Sequence, residues 1–203
     1  DTKNFFPENF LTARKNLNLL YLKKNVKIIS FGATSAYSEK RKGYNFIKQT
    51  IIKLNKEKKN VHFIIFGELA EDLNEFSNIT NYQEISEEKK IRDIYNVSDI
   101  FLCPSLQDNL PLTVMESITC GTPVVSFDVG GLKDLILHKK NGYLAKEENF
   151  EDFYKGINFF LNLDLKNNND YLDVMEYDKT TNNFNPNIIA EKYYKIYKEI
   201  TKL

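Results

Sequence analysis

The chain has 203 residues, 42% of them hydrophobic, with 15 Phe and 12 Tyr, enough apolar material for a sizeable core and too much for a disordered segment. Lys plus Arg and Asp plus Glu both total 28, so the formal net charge is zero and a general attraction to nucleic acid or anionic membrane has no support. No apolar run reaches the roughly 18 residues of a membrane span, and no signal-peptide pattern opens the chain.

Residues 1–25 show no strand pattern and read as a linker leading in from an upstream lobe. Val26–Gly32 then reads as a buried strand, and Tyr44–Glu57 as a helix with Phe46, Ile47, Ile51, Ile52 and Leu54 at helical spacing. Val61–Gly67 is the next strand, with a short one expected around Ile79–Tyr82. Glu87–Tyr95 reads as a helix, Asp99–Cys103 as a strand, and Leu112–Cys120 as a helix closed by Gly121. Pro123–Phe127 is a strand, Gly130-Gly131 turns into a helix over Leu132–Leu137, and Asn141–Leu144 returns as a strand. Helices over Phe150–Leu163 and 186–203 complete the chain, separated by the polar patch 166–170. The final helix carries more aromatic surface than one face needs, which suits either a partner domain or docking on this sheet. Strands alternating with helices predict a single α/β domain over 1–203, Rossmann-like, with a mostly parallel sheet covered by helices on both faces.

Several chemistries find no residues. Neither Gly-x-Gly-x-x-Gly nor a Gly-Lys-Ser/Thr phosphate loop follows any predicted strand, which argues against redox cofactors and ATP hydrolysis. No His/Cys/Asp/Glu cluster has metal-ligand spacing, and no Ser-His-Asp or Cys-His set can be assembled. His62 alternates within a buried strand and reads as core, and His138 beside Lys139-Lys140 reads as surface. Cys103 and Cys120 read as buried, inert thiols of a cytoplasmic protein.

The informative stretch is Pro104 to Val125. It joins a strand end to a loop, a helix and a second strand, and places Asp108 in the loop and Glu116 on the helix. In a parallel α/β sheet, ligands sit where strand ends turn into helix N-termini. A helix starting near Pro111 aims free N–H groups at that spot, which suits a diphosphate, and carboxylates suit sugar hydroxyls. Glu116 lies between Val114-Met115 and Ile118, where a carboxylate is costly unless paired. Gly32-Ala33-Thr34-Ser35 and then Glu39-Lys40-Arg41-Lys42-Gly43 follow the first strand. The glycine permits close backbone approach and the lysines reach a phosphate, although taken alone the segment reads first as a solvated basic loop. Gly130-Gly131 fits an anion cradle or a plain turn.

Phe101–Val125, with Asp108, seven residues, Glu116 and then Cys120-Gly121-Thr122-Pro123-Val124-Val125, resembles the signature of family-four retaining glycosyltransferases of the GT-B fold. Phe31-Gly32-Ala33 with Arg41-Lys42-Gly43 resembles the family's phosphate loop, and Phe127–Gly131 with Asn141–Leu144 its later turns. The likeness runs from about Asp1 to Leu163. It implies the C-terminal, donor-binding lobe of a bilobed enzyme, with the acceptor glycan or lipid held by an N-terminal lobe that this sequence lacks. It further implies a nucleoside-diphosphate sugar as donor, UDP being the family's commonest carrier, with no metal or other cofactor required. Carried over by position, Lys42 contacts the diphosphate, Asp108 the transferred sugar and Glu116 the ribose. Gly32 and the backbone amides near Leu110, Leu112 and Thr113 complete the donor site, with the base near Gln83–Ile85.

The chain departs from the family where Asp108 replaces the usual Glu and where Ala33 stands at a position that many members fill with Arg; Arg41 or Lys40 is the available substitute. These departures keep open a degenerate nucleotide-sugar or protein-binding module as the alternative. A GT-B epimerase or phosphorylase is a third reading, although no motif suggests the pyridoxal lysine that a phosphorylase needs.

Overall fold

A computed structural model of the chain describes residues 2–33, 38–67, 73, 75–163, 165, 171–182 and 184–201. The elements in chain order are α1 (Phe10–Asn16), β1 (Lys27–Ala33), α2 (Tyr44–Lys56), β2 (Val61–Gly67), β3 (Ile79–Asn81), α3 (Glu88–Val97), β4 (Ile100–Cys103) and α4 (Leu112–Thr119). There follow β5 (Val124–Phe127), α5 (Leu132–Leu135), β6 (Gly142–Ala145), α6 (Phe150–Leu161), α7 (Tyr171–Val174), α8 (Tyr177–Asn182) and α9 (Pro186–Ile200). Thr34-Ser35, the patch 166–170 and residues 202–203 lie outside the described residues.

The six strands form one sheet in the order β3-β2-β1-β4-β5-β6, every pair parallel. This is the Rossmann-like α/β arrangement that the strand–helix alternation predicted. Parallel strands are covered on both faces, so they read as unbroken apolar runs rather than alternating ones. Phe63, Ile64 and Ile65 of β2 and Ile100, Phe101 and Leu102 of β4 are all buried. Strand order runs outward in both directions from β1, so right-handed crossovers carry the helices to opposite faces and open a crevice beyond the carboxyl ends of β1 and β4. Asp99 holds these two strands together at the other end: its Oδ2 accepts from the Ile28 amide at 2.8 Å and its Oδ1 from Lys27 Nζ at 3.1 Å.

The N-terminal segment is more structured than a linker. Asn9 caps α1, its side chain accepting from the amides of Leu11 and Thr12, and Phe5, Ala13, Leu17 and Leu19 are buried in the common core. The Arg92 guanidinium stacks on the Phe6 ring at 4.2 Å, and Asn96 accepts from the Glu8 amide while donating to the Phe6 carbonyl. A helix of seven residues gives little periodic signal, and its burial comes from contact with α3 rather than from a strand pattern. At the other end, none of the residues of α9 is buried, and Tyr193, Tyr194, Ile196, Tyr197 and Ile200 are all exposed. No described helix is long and apolar enough to cross a membrane.

His62 is buried in β2 and its Nε2 lies 2.8 Å from Thr80 Oγ1, as a core histidine should. Loss of hydration and the nearby Arg14 charge push its pKa down to about 4, so the ring is neutral at physiological pH. His138 is exposed, and Cys103 and Cys120 are buried thiols.

Candidate functional site

The crevice at the ends of β1 and β4 is assembled by two close backbone approaches. The turn Lys40–Lys42 ends at Gly43, whose φ is +70° and whose bare face lies against the Pro104 carbonyl, so that any side chain there would collide with it. The Leu106 amide then donates to the Arg41 carbonyl at 2.7 Å, joining the basic turn to the loop after β4. From the other side, Gly130 and Gly131 pack against the carbonyls of Asp108 and Asn109, which identifies the double glycine as a packing turn. The acidic loop is clamped between these two turns.

That clamp brings Lys42 and Asp108 into contact across 66 positions of sequence, Lys42 Nζ lying 3.0 Å from Asp108 Oδ2. Both side chains are largely buried, at 20% and 13% exposure. Arg41 instead pairs with Glu39 and, with Asp108, Asp128, Gly130 and Glu147, lines an open cleft of about 590 Å³.

α4 begins beside this cleft. Pro111 is its N-cap and supplies no side-chain hydrogen bond, so the first-turn amides of Leu112 and Thr113 have no intrahelical acceptor. Leu110 and Leu112 are exposed, at 54% and 68%. Glu116 sits about one turn along and does not join the Lys42–Asp108 pair. It lines a second cavity of about 390 Å³ with Leu110, Leu112, Met115, Phe5 and Phe184. Burial raises its pKa above the usual carboxylate range, and a hydrogen bond from the Tyr95 hydroxyl to Oε2, at 3.0 Å, pulls it partly back.

Gly32 has a different surrounding from the one its position suggests. Its bare face is filled by the Phe66 ring, so the absence of a side chain serves the core at that point. Gln83–Ile85 lies at the carboxyl end of β3, where the Gln83 carbonyl accepts from the Gly67 amide, and it lines neither cavity. Tyr95 was not singled out in the sequence. The available signal was a tyrosine beside Ile94 on the buried face of a helix, because a buried hydroxyl needs a partner.

The sequence matches the family described as glycosyl transferases group 1 over residues 22–175. A glycosyltransferase of Haemophilus influenzae, itself uncharacterized, is 29% identical over 152 residues, which cover 71% of this chain and 42% of that protein. This chain therefore spans about two fifths of that relative's length. Among solved structures, the C-terminal domain of the group 1 glycosyl transferase LpcC from Francisella tularensis is similar, with a TM-score of 0.68 and 18% identity. That alignment covers 89% of this chain and 96% of the domain. HepE of Anabaena, in complex with UDP and glucose, aligns with a TM-score of 0.69 and 14% identity, over all of this chain and 55% of that one. At such identities the two structures show a shared fold, and the sequence match shows the family. The chain belongs to the group 1 glycosyl transferases, the family-four enzymes of GT-B architecture, and has the fold of their C-terminal lobe.

Proposed function

We propose that this chain is the sugar-nucleotide-binding half of a retaining, metal-independent glycosyltransferase. It moves a hexose-type sugar from a nucleoside-diphosphate donor, UDP being the first candidate, to a glycan, lipid or other acceptor held by a second lobe. The Lys42–Asp108 contact carries the reading, because it puts a cation and a carboxylate side by side at the switch point, next to a helix N-terminus with open amides. HepE, of the same fold, binds UDP and glucose, which supports a UDP-sugar as donor.

In this reading the donor diphosphate lies against Lys42 and the first-turn amides of α4, the transferred sugar reaches Asp108, and the ribose hydroxyls donate to Glu116. The bond from the anomeric carbon to the diphosphate oxygen breaks, and its electron pair stays on phosphate. The acceptor oxygen forms the new bond on the same face, and its proton passes to the leaving phosphate. Lys42 and the α4 amides stabilise the charge that builds on that phosphate, the step where preorganised donors count most. The acceptor side is not formed by these residues, so the chain alone binds donor with little or no turnover. The two buried thiols, joined by no disulfide, suit a cytoplasmic setting.

Calorimetric titration with UDP, GDP and ADP in EDTA tests this. Micromolar to low-millimolar binding of one of them is expected, and binding of none contradicts the reading. Measurable sugar transfer by the chain alone would refute the division of labour between lobes.

A further inference from the structure

We propose that Tyr95 is a positioning residue for the donor site: its buried hydroxyl holds the Glu116 carboxylate in the orientation that receives the ribose diol. The inference rests on the ribose role given to Glu116 above.

Tyr95 is fully buried on α3, and its hydroxyl reaches out of the core to Glu116 Oε2 on α4. Among the described residues this is the one hydrogen bond that the Glu116 carboxylate makes. One lone pair of Oε2 is thereby occupied, which leaves Oε1 and the remaining lone pair as acceptors on a side chain that lines the cavity. Those are the two acceptors that a pair of neighbouring hydroxyls needs. A glutamate left free would lose side-chain entropy on gripping a ligand, and a fixed one has already lost it.

Tyr95 can fix Glu116 because it is itself fixed. Its carbonyl accepts from Thr122 Oγ1 at 2.6 Å, anchoring the end of α3 to the turn before β5. Its ring meets Phe101 edge-on at 5.3 Å, Phe66 at 6.1 Å and Phe5 at 6.2 Å. Phe66 is the ring that fills the bare face of Gly32. Packed groups thus run without a break from the end of β1 through Phe66 and Tyr95 to Glu116, linking the phosphate side of the crevice to the ribose side. A phenylalanine would fill the same space; the hydroxyl is what the site gains from tyrosine.

The test uses the full chain and whichever of UDP, GDP and ADP binds tightest, beside the 2′,3′-dideoxy form of the same nucleotide. The wild type is expected to prefer the ribonucleotide, and Glu116→Gln to lose that preference. Tyr95→Phe should cut the preference about fivefold, roughly the worth of one oriented hydrogen bond, while leaving the dideoxy affinity unchanged. The double variant should do no worse than Glu116→Gln alone, since both act through one carboxylate. Glu116→Asp, too short to keep the contact, tests the same bond from the other side and should also lose preference. If Tyr95→Phe keeps the wild-type preference, or weakens both nucleotides equally, the positioning role is wrong while the ribose role stands. If the wild type shows no preference, or Glu116→Gln keeps it, the ribose role fails and the positioning role with it.

Discussion

Replacing either partner of the Lys42–Asp108 pair should move the affinity for a bare nucleoside diphosphate in opposite directions. At 3.0 Å and an effective dielectric of about 20, the gross attraction is about 5–6 kcal/mol. Desolvation of two largely buried groups reduces it to a net of about 1–2 kcal/mol. Lys42→Met keeps the stem and removes the charge, so a diphosphate loses one charge-assisted hydrogen bond, worth about 1.5–3 kcal/mol, or about 10- to 100-fold in affinity. It also leaves Asp108 as an uncompensated negative charge facing the phosphates. Asp108→Asn does the reverse: it frees Lys42 and removes that repulsion. A bare nucleoside diphosphate should therefore bind it as well as, or a few-fold better than, the wild type, while the extra affinity for the sugar-bearing donor falls. Calorimetry at fixed ionic strength reads both variants against both ligands. Lys42→Met binding within twofold of wild type, or both variants weakening UDP equally, would mean that the pair is a structural clasp between two loops.

Three further outcomes follow from the same geometry. Burial raises the Glu116 pKa and the ionised form is the ribose acceptor, so nucleotide affinity should climb with pH through a midpoint above the usual carboxylate range; Glu116→Gln should flatten that climb and weaken binding by roughly fivefold. Gly32→Ala drives a methyl into the Phe66 ring and should destabilise the fold by about 1–3 kcal/mol or more, read by denaturant unfolding, with Phe66→Leu in the same chain restoring part of the loss. His62 is neutral when folded and has a pKa of about 4 against 6.5 unfolded, so between those values the unfolded chain binds the extra proton and stability rises with pH, by up to about 3 kcal/mol. His62→Gln should remove that slope; an unchanged slope in urea melts across the window would show that another group titrates there.

The sheet was legible because parallel strands buried on both faces announce themselves as apolar runs, and the bounds of Val61–Gly67 agree with those of β2 to the residue. The helix start near Pro111 was legible from proline at a strand-to-helix turn, and α4 begins at Leu112. Helix α1 was not, because it packs against α3, far away in sequence. Nor could local pattern show that Lys42 meets Asp108, since the contact depends on Gly43 lying against the Pro104 carbonyl and on the double glycine closing from behind. Gly32 illustrates the converse case. Its place at a strand end suggested ligand approach, yet an aromatic ring from the adjacent strand occupies its open face. Motif spacing identified chemistry-bearing residues, and tertiary approach decided which of them touch.

The most direct test of the account is a crystal structure of the chain with UDP or, if another base binds tighter, with that nucleotide. The account predicts diphosphate oxygens within hydrogen-bond reach of Lys42 Nζ and the Leu112 and Thr113 amides, with the ribose hydroxyls on Glu116 and Tyr95 still bonded behind it. A diphosphate seated away from Lys42 and α4, or a ribose turned away from Glu116, would contradict it.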